Sequence, residues 1–331
     1  MSFDRDRFSV PGGHDSISEE NLELVAQLRE VPLLEGFADQ YEEDEIERDS
    51  KVVARIKDGF GRRLDALSPG DHVILERNKK LADAFEATMG ELINSHNWFG
   101  EEAVFIFTTE YDDLVNAADG VVEIPATEEL VVRQPLSIDI TYDKKPTSVR
   151  RKIARNIKKL LSRDSIKIKY FSSEIDPEFV GPIEDTVPIV VGLDQNHAVE
   201  IINKISQIIR LQAHAQGDKR EDARQTILSL KKELAVHPAQ ITFLNEMILQ
   251  LDMYLTILSR ETDAVYGIRK EAITDIRTMF SKILSGKKGI TDQAEDSSND
   301  QVSIEIRDAV KDFEKRVSNI DLALFIDKLG I

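Results

Sequence analysis

Three short runs rich in β-branched and aromatic residues, at 103–109, 120–124 and 136–142, stand between two stretches whose apolar residues recur at helical spacing. The stretch before them, residues 73–95, carries Leu75, Leu81, Phe85, Met89, Leu92 and Ile93 on one stripe. The one after opens at Pro146 and carries Val149, Ile153, Ile157, Leu160 and Leu161. Residues 165–171 then alternate apolar with lysine, and residues 187–193 form another apolar run. Asp194 or Asn196 can cap a helix that holds Val199, Ile202, Ile205, Ile208 and Ile209. Helix, three strands, helix, strand, strand, helix is the order of an α/β domain with a sheet flanked by helices.

Beyond residue 216 only helical spacing is found, over about 220–235, 238–258, 263–284 and 303–329. The chain therefore divides into an acidic, partly disordered N-terminal extension (1–50), an α/β core (51–215), a helical region (216–285), a polar linker (286–302) and a C-terminal amphipathic helix (303–331). Leu244, Ile248, Leu251, Leu255 and Leu258 form a stripe suited to packing or to homodimerisation through the C-terminal helices. The chain has no cysteine, which excludes disulfides and thiolate chemistry and suits a reducing cytoplasm. No apolar run approaches the roughly 18 residues of a membrane span, and the N-terminus lacks a signal-peptide core.

Two acids are embedded in the strand-like runs. Asp119 immediately precedes Gly120, and Asp139 lies twenty residues on, between Ile138 and Ile140. A carboxylate among β-branched residues is costly to bury unless something positive meets it, and Mg²⁺ is the usual partner of converging carboxylates. Glu86 and Glu91, on the preceding helix, are positioned to complete such a set. Between Lys144 and Lys169 eleven lysines and arginines face a single acid, Asp164, although the whole chain has a net charge of −18. That local excess reads as a phosphate-binding surface or as a solvated helix face. Asp119 also fits a turn before Gly120, and Ser137, Asp139 and Thr141 also fit an exposed strand face. Asp112 and Asp113 fit a loop cap, with Asp113 a reserve for Asp119. The acidic stretch 35–49 reads as a solvated loop or helix face, or as a cover over the basic segment.

The segment from about 73 to 171 resembles the PD-(D/E)xK, or restriction-endonuclease-like, nuclease superfamily: a helix with Glu, strands carrying Asp and then Asp/Glu-x-Lys, then a helix and a further strand. The resemblance implies a restriction-endonuclease-like core with a mixed sheet, and a Mg²⁺-dependent nuclease acting on DNA or RNA. It places the metal on Asp119 and Asp139 with Glu86 or Glu91. The pattern departs at Asp139-Ile140-Thr141, where threonine stands in the lysine's place. Lys144, Arg151 or Lys152 would then supply the basic group, Lys144 being the expected one, and Arg151, Arg155 and Lys158 would hold phosphate. Loss of the motif lysine equally fits an inactive module of the same fold that binds nucleic acid or protein, and the helices fit a dimerising scaffold. The six histidines show no metal spacing, and residues 192–196 lack a phosphate-cradling glycine loop.

Overall fold

Where Ser68-Pro69-Gly70-Asp71 interrupts the helical pattern, Ser68 becomes a cap. Its hydroxyl accepts the N–H of Asp71 at 3.3 Å, and Pro69 takes the first helical position, where no N–H is needed. In the computed structural model, which describes residues 17–124, 136–142, 146–214, 220–291 and 300–319, this opens α3 (Pro69–His96), after α1 (Glu19–Ala26) and α2 (Glu43–Asp65). β1 (Val104–Phe107), β2 (Gly120–Glu123), β3 (Leu136–Thr141), α4 (Pro146–Leu161), β4 (Ile168–Ser172), β5 (Val180–Ile183), β6 (Val187–Gly192) and α5 (Gln195–His214) follow. The rest is helical: α6 (Arg220–Ala235), α7 (Ala239–Leu258), α8 (Ala264–Gly286), the short α9 (Lys288–Thr291) and α10 (Gln301–Asn319).

The chain is an α/β protein with a mixed four-stranded sheet in the order β1-β2-β3-β6, flanked by helices. β1, β2 and β3 run antiparallel in turn, and β6 returns parallel to β3, with Asp139 beside Val190. Every residue of β3 and β6 is buried, so Ser137, Asp139 and Thr141 do not form an exposed face. β4 does not join this sheet. It pairs with β5 through a register shift between Ile168 and Phe171. Gly181 and Pro182 break the apolar pattern of β5, which is why the sequence does not announce it.

Close approach sets the position of both acid-bearing elements. A Cβ at Gly90 would lie 2.9 Å from the Phe107 ring, so α3 can lie against β1 there, one turn beyond Glu86. A Cβ at Gly120 would lie 2.1 Å from the Phe105 ring, so only glycine can follow Asp119.

β6 is an edge strand, and α7 covers it. Glu246 accepts the N–H of Gly192 at 3.0 Å, and Tyr254 donates to the carbonyl of Pro188 at 2.8 Å. Between them Gln250 accepts the N–H of Val190 at 3.0 Å and donates to its carbonyl at 2.7 Å. Four residues of helix rise about 6 Å and two residues of strand about 6.6 Å, so side chains at helical spacing can replace a neighbouring strand. The helical region and α/β core therefore share one hydrophobic core, which reaches from Ile17 to Phe313. Leu244, Leu251 and Leu258 are buried within it. A helical stretch, Glu221–Leu258, is long and apolar enough to cross a membrane, but 67% of its apolar window is packed inside the protein. At the other end, Leu22 and Val25 of α1 belong to the same core, while Leu34, Phe37 and Ile46 pack on Tyr170 in a satellite cluster. The acidic stretch is thus partly a helix start seated on β4.

Candidate functional site

Asp119 continues the β2–β3 ladder: its N–H donates to the carbonyl of Ile138 at 2.8 Å. Its side chain turns inward, where Oδ2 accepts the N–H of Ile140 at 2.5 Å. Burial pushes this carboxyl well above its usual range, and the neighbouring Glu86, Asp139 and Asp113 push it further against the pull of Lys152. Asp139, on β3, is met by two cations from α4. Lys152 Nζ donates to Oδ1 at 2.6 Å, and Arg155 Nη2 donates to Oδ2. The Lys152 amine also reaches the carbonyl of Ile140 at 3.3 Å. Burial works against its charge, but Asp139 and Asp119 hold it above the ordinary lysine value.

Glu86 comes from α3 and Asp113 from a π-helical turn, Asp112–Asn116, between β1 and β2. Burial raises Glu86 to about 8, with Asp113 and Asp83 adding to the rise and Arg29 and Lys152 opposing it. Arg29, just beyond α1, sits among these acids. Its guanidinium lies 3.0 Å from Glu86, 3.3 Å from Asp113 and 3.3 Å from Asp83. The π turn is anchored by fully buried Asp112, which accepts the N–H groups of Lys169 at 2.7 Å and Tyr170 at 2.9 Å. Asn116 donates to Asp112 at 2.6 Å, and its carbonyl accepts from Lys159. Burial and the nearby Arg155 lower Lys159 to about 8.

The fold thus gathers Glu86, Asp113, Asp119 and Asp139 with Lys152, Arg155 and Lys159. It does not gather the remaining predicted residues. Glu91 lines a hollow with His96, Ile205 and Lys231, one helical turn and a half from Glu86 and on another side of α3. Arg151 and Lys158 lie on the exposed side of α4. Lys144 lies outside the described residues. Much of the basic segment is spent on internal pairs: Arg150 with Asp312, Arg163 with Asp263, Lys167 with Glu184, and Lys169 with Glu45 and Asp49. Lys169 also lies 5.1–5.5 Å from the ring centres of Tyr170, Tyr41 and Tyr111.

A second polar cluster forms where β6 meets α5. His197 Nδ1 lies 3.2 Å from Asp194 and 3.0 Å from Asp300, and the two carboxylates raise the imidazole to about 10. Among the described residues this is the three-donor group whose ligand atoms lie within 4.8 Å of one another, which the β2–β3 acids do not match. A protonated His197 already supplies the positive charge, so cation and imidazolium exclude one another. Neither Arg29 nor His197 was indicated by the sequence pattern. The only local hint is Asp194, a capping residue three positions before His197.

Comparison with family models, curated proteins and solved structures finds no match for this chain.

Proposed function

We propose that the chain is a Mg²⁺-dependent nuclease that cleaves phosphodiester bonds of DNA or RNA at the Asp119–Asp139 site. The observation that carries this reading is the Lys152 amine, 2.6 Å from Asp139 and beside buried Asp119, which places a lysine on the second acid although Thr141 occupies the motif position. The order of helix with Glu86, three strands with Asp119 and Asp139, then helix supports a restriction-endonuclease-like core; the next strand, β4, pairs outside the sheet, and the strand parallel to β3 is β6, beyond the segment of resemblance.

The donors are oxygen atoms only, as Mg²⁺ prefers, but among the described residues no three of these acids bring ligand atoms within 4.8 Å of one another, so they would have to draw together to hold it. Glu86, Asp119 and Asp139 would hold it, and it would supply a lowered pKa for water and a charge for the leaving oxygen. Lys152, in place of Lys144, would orient the attacking water and hold a proton at Nζ. Arg155 and Lys159, three and seven residues further along the same helix, offer charge to the phosphate oxygens. A second reading has its own observation: both oxygens of Asp139 already bind cations of the chain, as in a module that holds nucleic acid or protein without cutting. The reducing cytoplasm is the setting that a cysteine-free chain fits.

Cleavage of single- and double-stranded DNA and RNA distinguishes these readings. Lys152→Met should lower kcat at least about 100-fold with oligonucleotide binding retained, whereas Lys144→Ala should leave cleavage near the wild-type rate. A wild type that binds these substrates yet cuts none of them with Mg²⁺ or Mn²⁺ rejects the nuclease.

A further inference from the structure

Not one of residues 54–80, which span the end of α2, the turn at Ser68 and the start of α3, is buried, whereas α3 joins the core from Leu81 onward. The base of this helical hairpin is tied to the body. Lys57 lies 2.5 Å from Glu110, and Arg77 donates to the carbonyl of Ile17 at 3.3 Å. Helices draw most of their stability from packing an apolar face, and here that face is present but open. The α2 stripe that begins at buried Val53 continues through Ile56, Phe60 and Leu64, with Phe60 44% exposed, and on α3 Val73 is 62% exposed. Gly59 and Gly61 flank Phe60 inside the helix, where each costs about 1 kcal/mol relative to alanine. A Cβ at Gly61 would meet nothing within 4 Å, and one at Gly59 only the far end of Arg63, so no neighbour among the described residues calls for them. A second helix approaching closely would.

Charge indicates the occupant. From 54 to 64 the hairpin carries Arg55, Lys57, Arg62 and Arg63 against Asp58; from 65 to 76 it carries Asp65, Asp71 and Glu76 with no lysine or arginine. Arg55, Asp58, Arg62 and Asp65 take no ion pair among the described residues. A phosphate backbone would be repelled by the acidic limb, and a partner of one sign would suit one limb alone. Both limbs are answered when the cationic limb of one hairpin faces the acidic limb of another, which is a two-fold arrangement. We propose that the α2–α3 hairpin is a self-docking surface: it packs on the hairpin of a second copy of this chain, with Phe60, Leu64 and Val73 at the centre and each cationic limb against the acidic limb opposite. The docking goes beyond the nuclease reading and holds whatever Asp119 and Asp139 do.

Sedimentation equilibrium of the full chain tests it. The wild type should be dimeric at about 10 μM, and Phe60→Asp with Val73→Asp should weaken association at least about 100-fold. Arg55→Glu with Arg62→Glu and, separately, Asp65→Lys with Glu76→Lys should each be monomeric at the concentration where the wild type pairs. An equimolar mixture of these two charge variants should regain the dimer, because the reversed limbs then complement one another. All six positions are exposed, so urea midpoints should stay near that of the wild type. A wild type that is monomeric even at about 100 μM overturns the inference. So does a dimer that Phe60→Asp with Val73→Asp leaves intact, or a mixture of the charge variants that stays monomeric. A monomer whose oligonucleotide binding is lost in Arg55→Glu with Arg62→Glu also overturns it and gives the face to nucleic acid.

Discussion

Two clusters of buried acids in this protein have opposite electrostatic characters. At Asp194, His197 and Asp300 every carboxylate is answered. Asp194 accepts the N–H groups of Asn196 at 2.9 Å and His197 at 3.1 Å. Asp300 accepts those of Asp194 at 2.8 Å and Ser303 at 3.0 Å. Although burial acts to raise Asp194, its bonds to His197 bring it below the usual carboxylate value. At Glu86, Asp113 and Asp119 the net shift is upward for all three, because burial and mutual repulsion exceed what Arg29 and Lys152 return. The first arrangement stabilises the ionised form and ties the start of α10 to the β6–α5 turn. The second keeps negative charge under strain, the condition in which acids are available for a cation or a proton.

The largest effect should come from breaking the satisfied cluster. Asp300→Ala strips His197 and two backbone N–H groups of their acceptor and should destabilise the fold by about 3 kcal/mol in urea unfolding. An unchanged midpoint would mean that the cluster stabilises nothing, and the contrast would fail.

The strained cluster should respond in the other direction. The native pKa of Glu86, about 8 against an ordinary 4.5, means that the folded protein holds this proton more tightly than the unfolded chain. Stability therefore falls as pH rises from about 4.5 to about 8. Glu86→Gln removes that titration, so it should match or trail the wild type at pH 4 and exceed it by about 2 kcal/mol at pH 9. Equal stability at both values would show Glu86 to be as well paired as Asp194.

The smallest expected effect sharpens the comparison at higher pH. His197 titrates at about 10 in the native state against 6.5 ordinarily, so its support is complete below pH 6.5 and lost as pH passes through 10. With its side chain 32% exposed, solvent screening reduces that support to about 1 kcal/mol. Between pH 7 and 10 the wild-type urea midpoint should fall further than that of His197→Gln, and parallel slopes would dissociate the imidazole from stability.

How much of this was legible depends on how far apart the partners lie along the chain. The stripe Val149, Ile153, Ile157, Leu160 fixes the rotation of α4, and every one of these residues is buried. Lys152, Arg155 and Lys159 flank that stripe at spacings of three and four, so their direction toward the sheet is contained in the same periodicity. The paired strands with Asp119 and Asp139 were equally readable, since β-branched runs and a Gly after the first acid are local signals. Glu246, Gln250 and Tyr254 were not. They lie 54–66 residues from the strand atoms they satisfy, and on a helix of ordinary apolar spacing they read as isolated polar positions.

By itself, then, the sequence determined which segments become the main helices and the strands of the four-stranded sheet, though not β5, as well as the order that makes the chain α/β and the presence of two acids between apolar neighbours. Those are consequences of backbone sterics and of periodic burial, which act over a few residues. Only the tertiary structure decided which charges meet. It brought Arg29 to acids 54 to 84 residues away, set Lys152 on Asp139, turned Glu91 away from the site and laid α7 along the free edge of β6. Such pairings depend on Coulomb and hydrogen-bond energies that fall off over a few ångströms in space, and no local pattern along the chain records that proximity.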